Sequence, residues 1–173
     1  KAFTMSYDDG VEQDIRLIQI MRENGVKGTF NLNSGLYAPE GTVYPAGQVH
    51  RRMTERQCLA AYVGSDVEVA VHASTHAFLE AVPTATAMME KDFGRIVRGM
   101  AYPFGTLSDD VVEILRLAGI AYSRTTVSRL NFDIPTDWLR LGATCHHENP
   151  ALTELGEKFT VSAPNREPWL FYL

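Results

Sequence analysis

The chain has 173 residues, 45% of them hydrophobic, and this length fits one domain that can bury a core of its own. Its net charge of −5 suits neither a nucleic-acid backbone nor an anionic membrane surface, because both attract clustered Lys and Arg. No apolar run in the sequence approaches the roughly 20 residues that a membrane-spanning helix needs.

Strand and helix patterns alternate along the chain. In chain order they predict a strand at 2–7, a helix at 12–24, a strand at 28–32, a long loop at 37–52, a helix at 54–62, a strand at 68–71, a helix at 84–93, a strand at 97–102, a helix at 108–118, a strand at 120–123, a helix at 151–159 and a strand at 169–173. This alternation predicts an α/β fold, a parallel sheet or barrel of β/α units.

Three polar segments each follow a predicted strand. Asp8 and Asp9 follow the first strand, the segment from His72 to His76 follows the third, and Pro103-Phe104-Gly105 follows the fourth. Because parallel β/α folds carry their chemistry at the carboxyl ends of the strands, we expect these segments to share one rim.

The aspartate pair and the histidine pair each permit two interpretations. Asp8 and Asp9 suit a strand-end turn with a helix N-cap, or two carboxylates beside a cation. His72 and His76, four residues apart, suit two capping or packing histidines, or two metal ligands on one face. Two His and one carboxylate are a frequent ligand set for a divalent transition metal with open positions. Taken together, the two pairs favour the metal interpretation.

The same three segments also form an ordered set of motifs. They read Ser6-Tyr7-Asp8-Asp9-Gly10, His72-Ala73-Ser74-Thr75-His76 and Tyr102-Pro103-Phe104-Gly105. This set resembles the motifs Thr-Phe-Asp-Asp-Gly, His-Ser/Thr-x-x-His and Arg-x-Pro-Tyr/Phe-Gly of the polysaccharide deacetylases, the NodB-homology family (carbohydrate esterase family 4). The order and spacing also match, and the resemblance covers nearly the whole chain.

The resemblance implies a fold and an activity. The family fold is a distorted, partly closed (β/α) barrel related to the TIM barrel. Its members remove acetyl groups from N-acetylglucosamine polymers or from acetylated xylan, so the expected partner is an acetylated carbohydrate, with no nucleic acid and no membrane insertion. Family members that act on cell walls work outside the cytoplasm, and we expect an extracytoplasmic or cell-surface location in a bacterium.

The resemblance also implies roles for individual residues. Asp8 resembles the general base, and the backbone N–H of Phe104 resembles the oxyanion donor. The expected metal ligands are Asp9, His72 and His76, which would hold one divalent ion, Zn²⁺ first and Co²⁺, Ni²⁺ or Fe²⁺ as alternatives. Such an ion polarises a carbonyl and activates water, which agrees with hydrolysis. The expected substrate contacts are Tyr102, Pro103, Trp138 and His146.

The sequence departs from the family at the third motif. The motif's arginine, which steadies the base in the family, would fall at Ala101, and Arg98 would point elsewhere on a strand. Arg124 and Arg140 follow later in the chain and are candidates to replace it. Ordinary surface arginine is the favoured interpretation of both, because charged side chains are mostly exposed.

Two further family motifs are incomplete. Residues 133–138 approximate Asp-x-x-Asp-Trp with one residue too many, and Trp138 suits a sugar pocket or the core equally. The last motif places an acid histidine after an apolar strand, and the strand pattern at 169–173 ends at Leu173 without it. We expect both ends of this single domain, residues 1–173, to be cut, with the acid histidine within about ten residues after Leu173. His146 and His147 are the alternatives within the chain.

Three functional interpretations follow from these observations. The first is a metal-dependent carbohydrate deacetylase. The second is a metal-dependent amide hydrolase with a small non-sugar substrate on the same fold. The third is an inactive carbohydrate-binding relative, which the missing arginine and missing acid histidine favour. The sequence does not distinguish among the acetylated sugars and does not indicate an oligomeric state.

Overall fold

Parallel strands form one sheet in the computed structural model, which describes residues 1–72, 78–162 and 168–173. The order across the sheet is β6-β5-β4-β3-β2-β1-β7, and every neighbouring pair is parallel. The strands are β1 (Ala2–Asp8), β2 (Gly28–Leu32), β3 (Glu68–Val71), β4 (Gly99–Ala101), β5 (Tyr122–Ser128), β6 (Leu141–Ala143) and β7 (Leu170–Tyr172).

The two edge strands of the sheet approach each other. Directly after β6, the Thr144 N–H donates to the carbonyl of Tyr172 in β7 over 2.7 Å. The Tyr172 N–H donates back to Thr144 Oγ1 over 3.1 Å. These bonds bring the edges together, so the sheet is nearly closed into a barrel. The predicted distorted, partly closed (β/α) barrel is confirmed.

Helices connect the strands, and their ends follow local sequence signals. Thr54 begins α2 with a capping box, because its Oγ1 accepts the Gln57 N–H and its own N–H donates to Gln57 Oε1. Ser108 begins α4 by accepting the Val111 N–H. The predicted helices at 54–62 and 108–118 therefore begin at their N-cap residues. The helices are α1 (Gln13–Glu23), α2 (Glu55–Tyr62), α3 (Phe78–Phe93), α4 (Asp109–Leu117) and α5 (Leu152–Val161), with short 3₁₀ turns at Pro103–Gly105 and Trp138–Arg140.

Two predicted boundaries are wrong by five residues or more, and one strand was not predicted. α3 begins at Phe78 rather than 84, because it continues through Pro83, a residue that normally disfavours a helix interior. β5 runs to Ser128 rather than 123, and four of its five added residues are polar, so they lack a strand's apolar pattern. β6 has three residues, too few for a clear alternation of apolar and polar side chains, and the sequence did not indicate it.

The core lies on both faces of the sheet. Every residue of β2 is buried, as expected for a central strand of a parallel sheet. A second apolar cluster closes the far side of the barrel, where the rings of Phe132, Phe159 and Phe171 lie 5.2 to 5.6 Å apart by centroid. This cluster covers β7, so it supports the strand that runs beside β1.

One carboxyl group lies inside the core. Asp14, in the first turn of α1, is 3% exposed. It accepts a hydrogen bond from the Tyr62 hydroxyl over 2.7 Å and another from the Val11 N–H over 3.1 Å. Burial outweighs these two bonds and raises the pKa of Asp14 to about 6. The native state therefore binds the Asp14 proton more tightly than the unfolded chain does.

We expect Asp14→Asn to remove a pH-dependent loss of stability. With a native pKa above the unfolded value, the wild-type free energy of unfolding falls as pH rises from about 4 through about 6, by about 3 kcal/mol for a shift of about two units. Asn keeps an oxygen that accepts both bonds but does not ionise. The stability difference, variant minus wild type, should therefore grow across that window.

Urea unfolding of both proteins from about pH 4 to about pH 8 measures this difference. Asp66→Asn, which alters an exposed carboxylate, is the matched control and should follow the wild-type profile. If the free energies of unfolding of wild type and Asp14→Asn changed in parallel with pH, the raised pKa assigned to Asp14 would be wrong.

Candidate functional site

A cavity of about 560 Å³ opens at the carboxyl ends of β1, β5 and β6. The parallel alignment of the strands collects polar side chains from distant parts of the chain at this rim. The cavity is lined by Ser6, Tyr7, Asp8, Asp9, His50, Arg124, Thr125, Thr126, Ser128, Ala143, Cys145, His146, His147 and Leu173.

Asp8, the last residue of β1, is held from two neighbouring strands. Arg124 Nη2 of β5 lies 2.5 Å from each Asp8 carboxylate oxygen. Asn31 of β2 donates to Asp8 Oδ1 over 2.9 Å. The Asp8 side chain is 34% exposed and that of Arg124 only 17%. The carboxylate is therefore an oriented anion at the cavity wall. The expectation that Arg124 is an ordinary surface arginine is wrong.

Asp9 leaves β1 with a positive φ of 79° and is held by a separate set of donors. Asn33 Nδ2 and Arg52 Nη2 donate to its Oδ1 over 2.8 and 2.9 Å. His50 Nε2 lies 3.1 Å from its Oδ2. Burial opposes the charge, but Arg52 and His50 outweigh it and hold the pKa of Asp9 below its ordinary value.

The long loop before α2 supplies two of these partners. The Glu12 N–H donates to the Arg51 carbonyl and the Met53 N–H donates to the Gly10 carbonyl, each over 2.8 Å. These bonds fix the end of the loop beside the start of α1 and so bring His50 and Arg52 to Asp9. Sequence reasoning found no partner for His50, since no local signal shows where a loop returns.

His72 follows β3 and has a fixed ring. Its Nδ1 lies 3.0 Å from the Ala101 carbonyl oxygen, and its backbone N–H donates to the Leu32 carbonyl. A proton on Nδ1 satisfies that carbonyl and leaves Nε2 as an electron-pair donor, the arrangement that metal-bound histidines use. His76, the second predicted histidine ligand, lies outside the described residues.

Phe104 has an unusual backbone for a large side chain. Its φ is 56°, in the left-handed region, and its side chain is 87% exposed. Within the described ranges no acceptor takes its N–H. Such strained residues cluster at functional sites. Asp9 and Phe104, both predicted from motifs, are two of the three non-glycine residues with positive φ in the part of the chain that the structure describes.

Comparison with known proteins identifies the family of this chain. A family model for polysaccharide deacetylase matches residues 1–123. The chain belongs to the polysaccharide deacetylase family. A search of curated proteins gives no match.

Solved deacetylase structures share the fold. IcaB from Ammonifex degensii superimposes with a TM-score of 0.64 at 17% identity, with 91% of this chain and 72% of that chain covered. The deacetylase domain of BpsB from Bordetella bronchiseptica gives 0.57 at 14% identity, covering 72% and 63%. A pseudoenzyme of carbohydrate esterase family 4 from Bacillus anthracis gives 0.54 at 19%, covering 71% and 42%. This deacetylase-family chain thus spans less than two thirds of the length of BpsB's domain.

The residues that the family would use for a divalent metal have suitable donor atoms here. His72 offers Nε2, and Asp9 Oδ2 has one contact and a remaining lone pair. Asp9 and His72 supply two of the three expected ligands, and the third, His76, lies outside the described residues. Among the described residues, one group of three ligand side chains lies within 4.8 Å of one another, namely the exposed His146, His147 and Glu148.

Two predicted substrate contacts are buried. Tyr102 is 3% exposed and its hydroxyl donates to the Leu139 carbonyl over 2.7 Å, so it belongs to the core. Pro103 is also buried. Trp138 is 45% exposed, but it is not among the described residues that line the cavity.

The other histidines lie on the cavity wall. His146 and His147 follow β6, and the His147 ring lies 6.2 Å from the Tyr7 ring by centroid. Arg140 points elsewhere, because its guanidinium pairs with Asp109 and Asp137. The structure therefore separates the two arginine candidates. No described helix is long and apolar enough to cross a membrane.

We expect Tyr102→Phe to lower the free energy of unfolding by about 1 to 3 kcal/mol. The change leaves the buried Leu139 carbonyl without its donor. Urea unfolding at neutral pH measures the loss. Unchanged stability would return Tyr102 to the candidate substrate contacts.

Proposed function

We propose that this chain removes acetyl groups from an acetylated polysaccharide or oligosaccharide, an N-acetylglucosamine polymer or acetylated xylan, with one divalent metal ion. The observation that carries the proposal is the convergence at one rim of Asp8, Asp9, His72 and the strained Phe104, beside a cavity of about 560 Å³. Family membership supports hydrolysis of an acetyl group as the reaction class.

Asp8 is the base in this proposal. Its two oxygens are oriented by Arg124 and Asn31, and about a third of its side chain faces solvent at the cavity. A carboxylate held in one orientation accepts the proton of a water molecule that attacks the acetyl carbonyl carbon. The proton goes to Asp8, and the acetyl carbon becomes tetrahedral.

The tetrahedral oxygen carries the developing negative charge. A backbone N–H that already lacks an acceptor stabilises this charge without reorganisation. The Phe104 N–H fits that role, because it follows β4 at the rim and has no acceptor among the described residues. Collapse of the intermediate breaks the bond to the sugar nitrogen or oxygen, and the leaving group takes a proton that His146 or His147 on the cavity wall would supply.

Asp9, His72 and His76 would hold the metal ion. When bound, a divalent ion polarises the acetyl carbonyl and makes water a better nucleophile. The chain prepares the site by fixing the His72 ring on the Ala101 carbonyl and the Asp9 carboxylate on Asn33. His50 and Arg52 also contact the Asp9 carboxylate, so they would offset part of the negative charge that Asp9 presents to a metal ion.

The cavity wall offers aromatic and polar groups for a sugar. Tyr7, His146 and His147 line it together with the hydroxyls of β5. A sugar ring presents apolar C–H faces and hydroxyl edges, and such a wall suits both. His146 stays a proposed substrate contact.

A substrate screen tests the proposal directly. Purified protein loaded with Zn²⁺ is incubated with N-acetylglucosamine oligomers, acetylated xylan and small non-sugar amides, and released acetate is measured. Release from a sugar substrate supports the proposal, whereas release only from a small amide favours the second interpretation. Sugar binding by calorimetry without any acetate release would favour an inactive carbohydrate-binding relative.

We expect His76→Ala to lower Zn²⁺ affinity by about 10-fold or more, because one of three protein ligands is lost. Isothermal titration calorimetry with ZnCl₂ measures the affinity. His147→Ala is the matched control, since it removes an imidazole from the exposed group beside the cavity. A greater loss of affinity in the control would assign the metal to His146, His147 and Glu148 instead.

Replacing Asp8 with Asn should separate catalysis from metal binding. Asn keeps the size of the side chain but does not accept the proton, so we expect kcat to fall by about 10²-fold. Metal content, measured by elemental analysis, should stay near that of the wild type. If Asp8→Asn and Asp9→Asn lost metal equally, the roles assigned to the two carboxylates would be wrong.

A further inference from the structure

The Asp8 carboxylate depends on one cation. In the described ranges, Arg124 is the only basic side chain that forms an ion pair with Asp8. The same guanidinium donates from Nε to Ser6 Oγ over 3.1 Å, and Asn31 Nδ2 donates to both Ser6 Oγ and Asp8 Oδ1. The four side chains form a closed hydrogen-bonded ring around the end of β1.

The sheet register explains how Arg124 reaches Asp8. Arg124 of β5 is the register partner of Ala101 of β4, whose side chain is apolar and 1% exposed. Side chains in register on neighbouring parallel strands leave the sheet on the same face, one strand spacing apart. Because the sheet is nearly closed, the long Arg124 side chain crosses the interior of the barrel to reach Asp8 of β1.

The backbone of Arg124 is also fixed. Its carbonyl accepts the Tyr102 N–H over 2.9 Å, and its other neighbour is Leu141 of β6. With a fixed backbone, a mostly buried side chain and two donor contacts, the guanidinium has little freedom to leave Asp8. The carboxylate is held in one orientation relative to the cavity.

We propose that Arg124 is the positioning residue of the Asp8 base, and that it does from β5 what Ala101 on β4 cannot do. The role rests on the proposed function, because it acts through Asp8 on the attacking water. Without Arg124, the bond from Asn31 would be the one hydrogen bond from the described residues that still restrains the carboxylate. The Asp8 carboxylate would then spend less time in the orientation that accepts a proton from the attacking water.

Kinetics on an acetylated substrate test the role. Arg124→Ala should lower kcat by about 10- to 100-fold with KM changed by less than about twofold, because a misplaced base slows the chemical step without removing a substrate contact. Arg124→Lys should recover part of kcat, since it restores the charge but not the planar group. Added guanidinium chloride at millimolar concentration should raise kcat of the Ala variant and not that of the wild type.

Arg140→Ala is the matched control, because Arg140 pairs with exposed carboxylates away from Asp8. Its kcat and KM should equal those of the wild type. A wild-type kcat in Arg124→Ala, or a loss that falls on KM alone, would overturn the proposal. Near-UV circular dichroism shows whether the Ala variant is folded. If it is not, the same kinetic comparison is made with Arg124→Lys, whose unchanged kcat would overturn the proposal.

A second measurement does not depend on activity. In ¹⁵N-labelled protein, the Arg124 Nη2 protons, which donate to Asp8, should exchange slowly with water and should lose that protection in Asp8→Ala but not in Arg140→Ala. Unchanged exchange in Asp8→Ala would overturn the proposal. If the wild type released no acetate while this protection followed Asp8, the proposed function would fail and the assigned Arg124–Asp8 contact would stand.

Discussion

Two adjacent carboxylates at the end of one strand set the constraint on which the rest of the site depends. Asp8 and Asp9 repel each other, and neither is fully solvated, so each needs its own positive or hydrogen-bonding partner. The fold meets this need by separating them. Asp8 stays in β1 and turns toward Arg124, while Asp9 leaves the strand with a positive φ and turns toward Arg52. The strain at Asp9 is thus the consequence of dividing the pair.

The partners of these carboxylates come from every part of the chain, and this distribution joins the site to the fold. Asn31 and Asn33 lie at the end of β2, and both side chains are buried. A buried amide is costly without hydrogen-bond partners, and here the Nδ2 groups donate to Asp8 and Asp9. Arg52 comes from the long loop, and Arg124 comes from the polar end of β5. Each contact that orients a carboxylate therefore also fixes a strand or loop at the carboxyl rim, so site geometry and barrel geometry depend on each other.

The departure at Ala101 shows how a parallel barrel can bring a cation to the same carboxylate from another strand. Neighbouring strands end at the same rim, so a side chain on β5 occupies the same region as one on β4. What the site requires physically is a cation beside Asp8, not a particular position for it in the sequence.

The sequence by itself determined the alternation of strands and helices, the two N-caps and the placement of the motifs at strand ends, because periodicity and capping are local properties. It also identified Asp8, Asp9, His72 and Phe104 as candidates. It did not reveal the polar end of β5, the burial of Tyr102, or the partners His50, Arg52 and Arg124 of the two aspartates. Those depend on where a loop returns and on which strands become neighbours, and such long-range contacts leave no pattern in the residues on either side of them. Only the tertiary structure decided which cation meets which carboxylate, because register and closure of the barrel set the distances between side chains far apart in the chain.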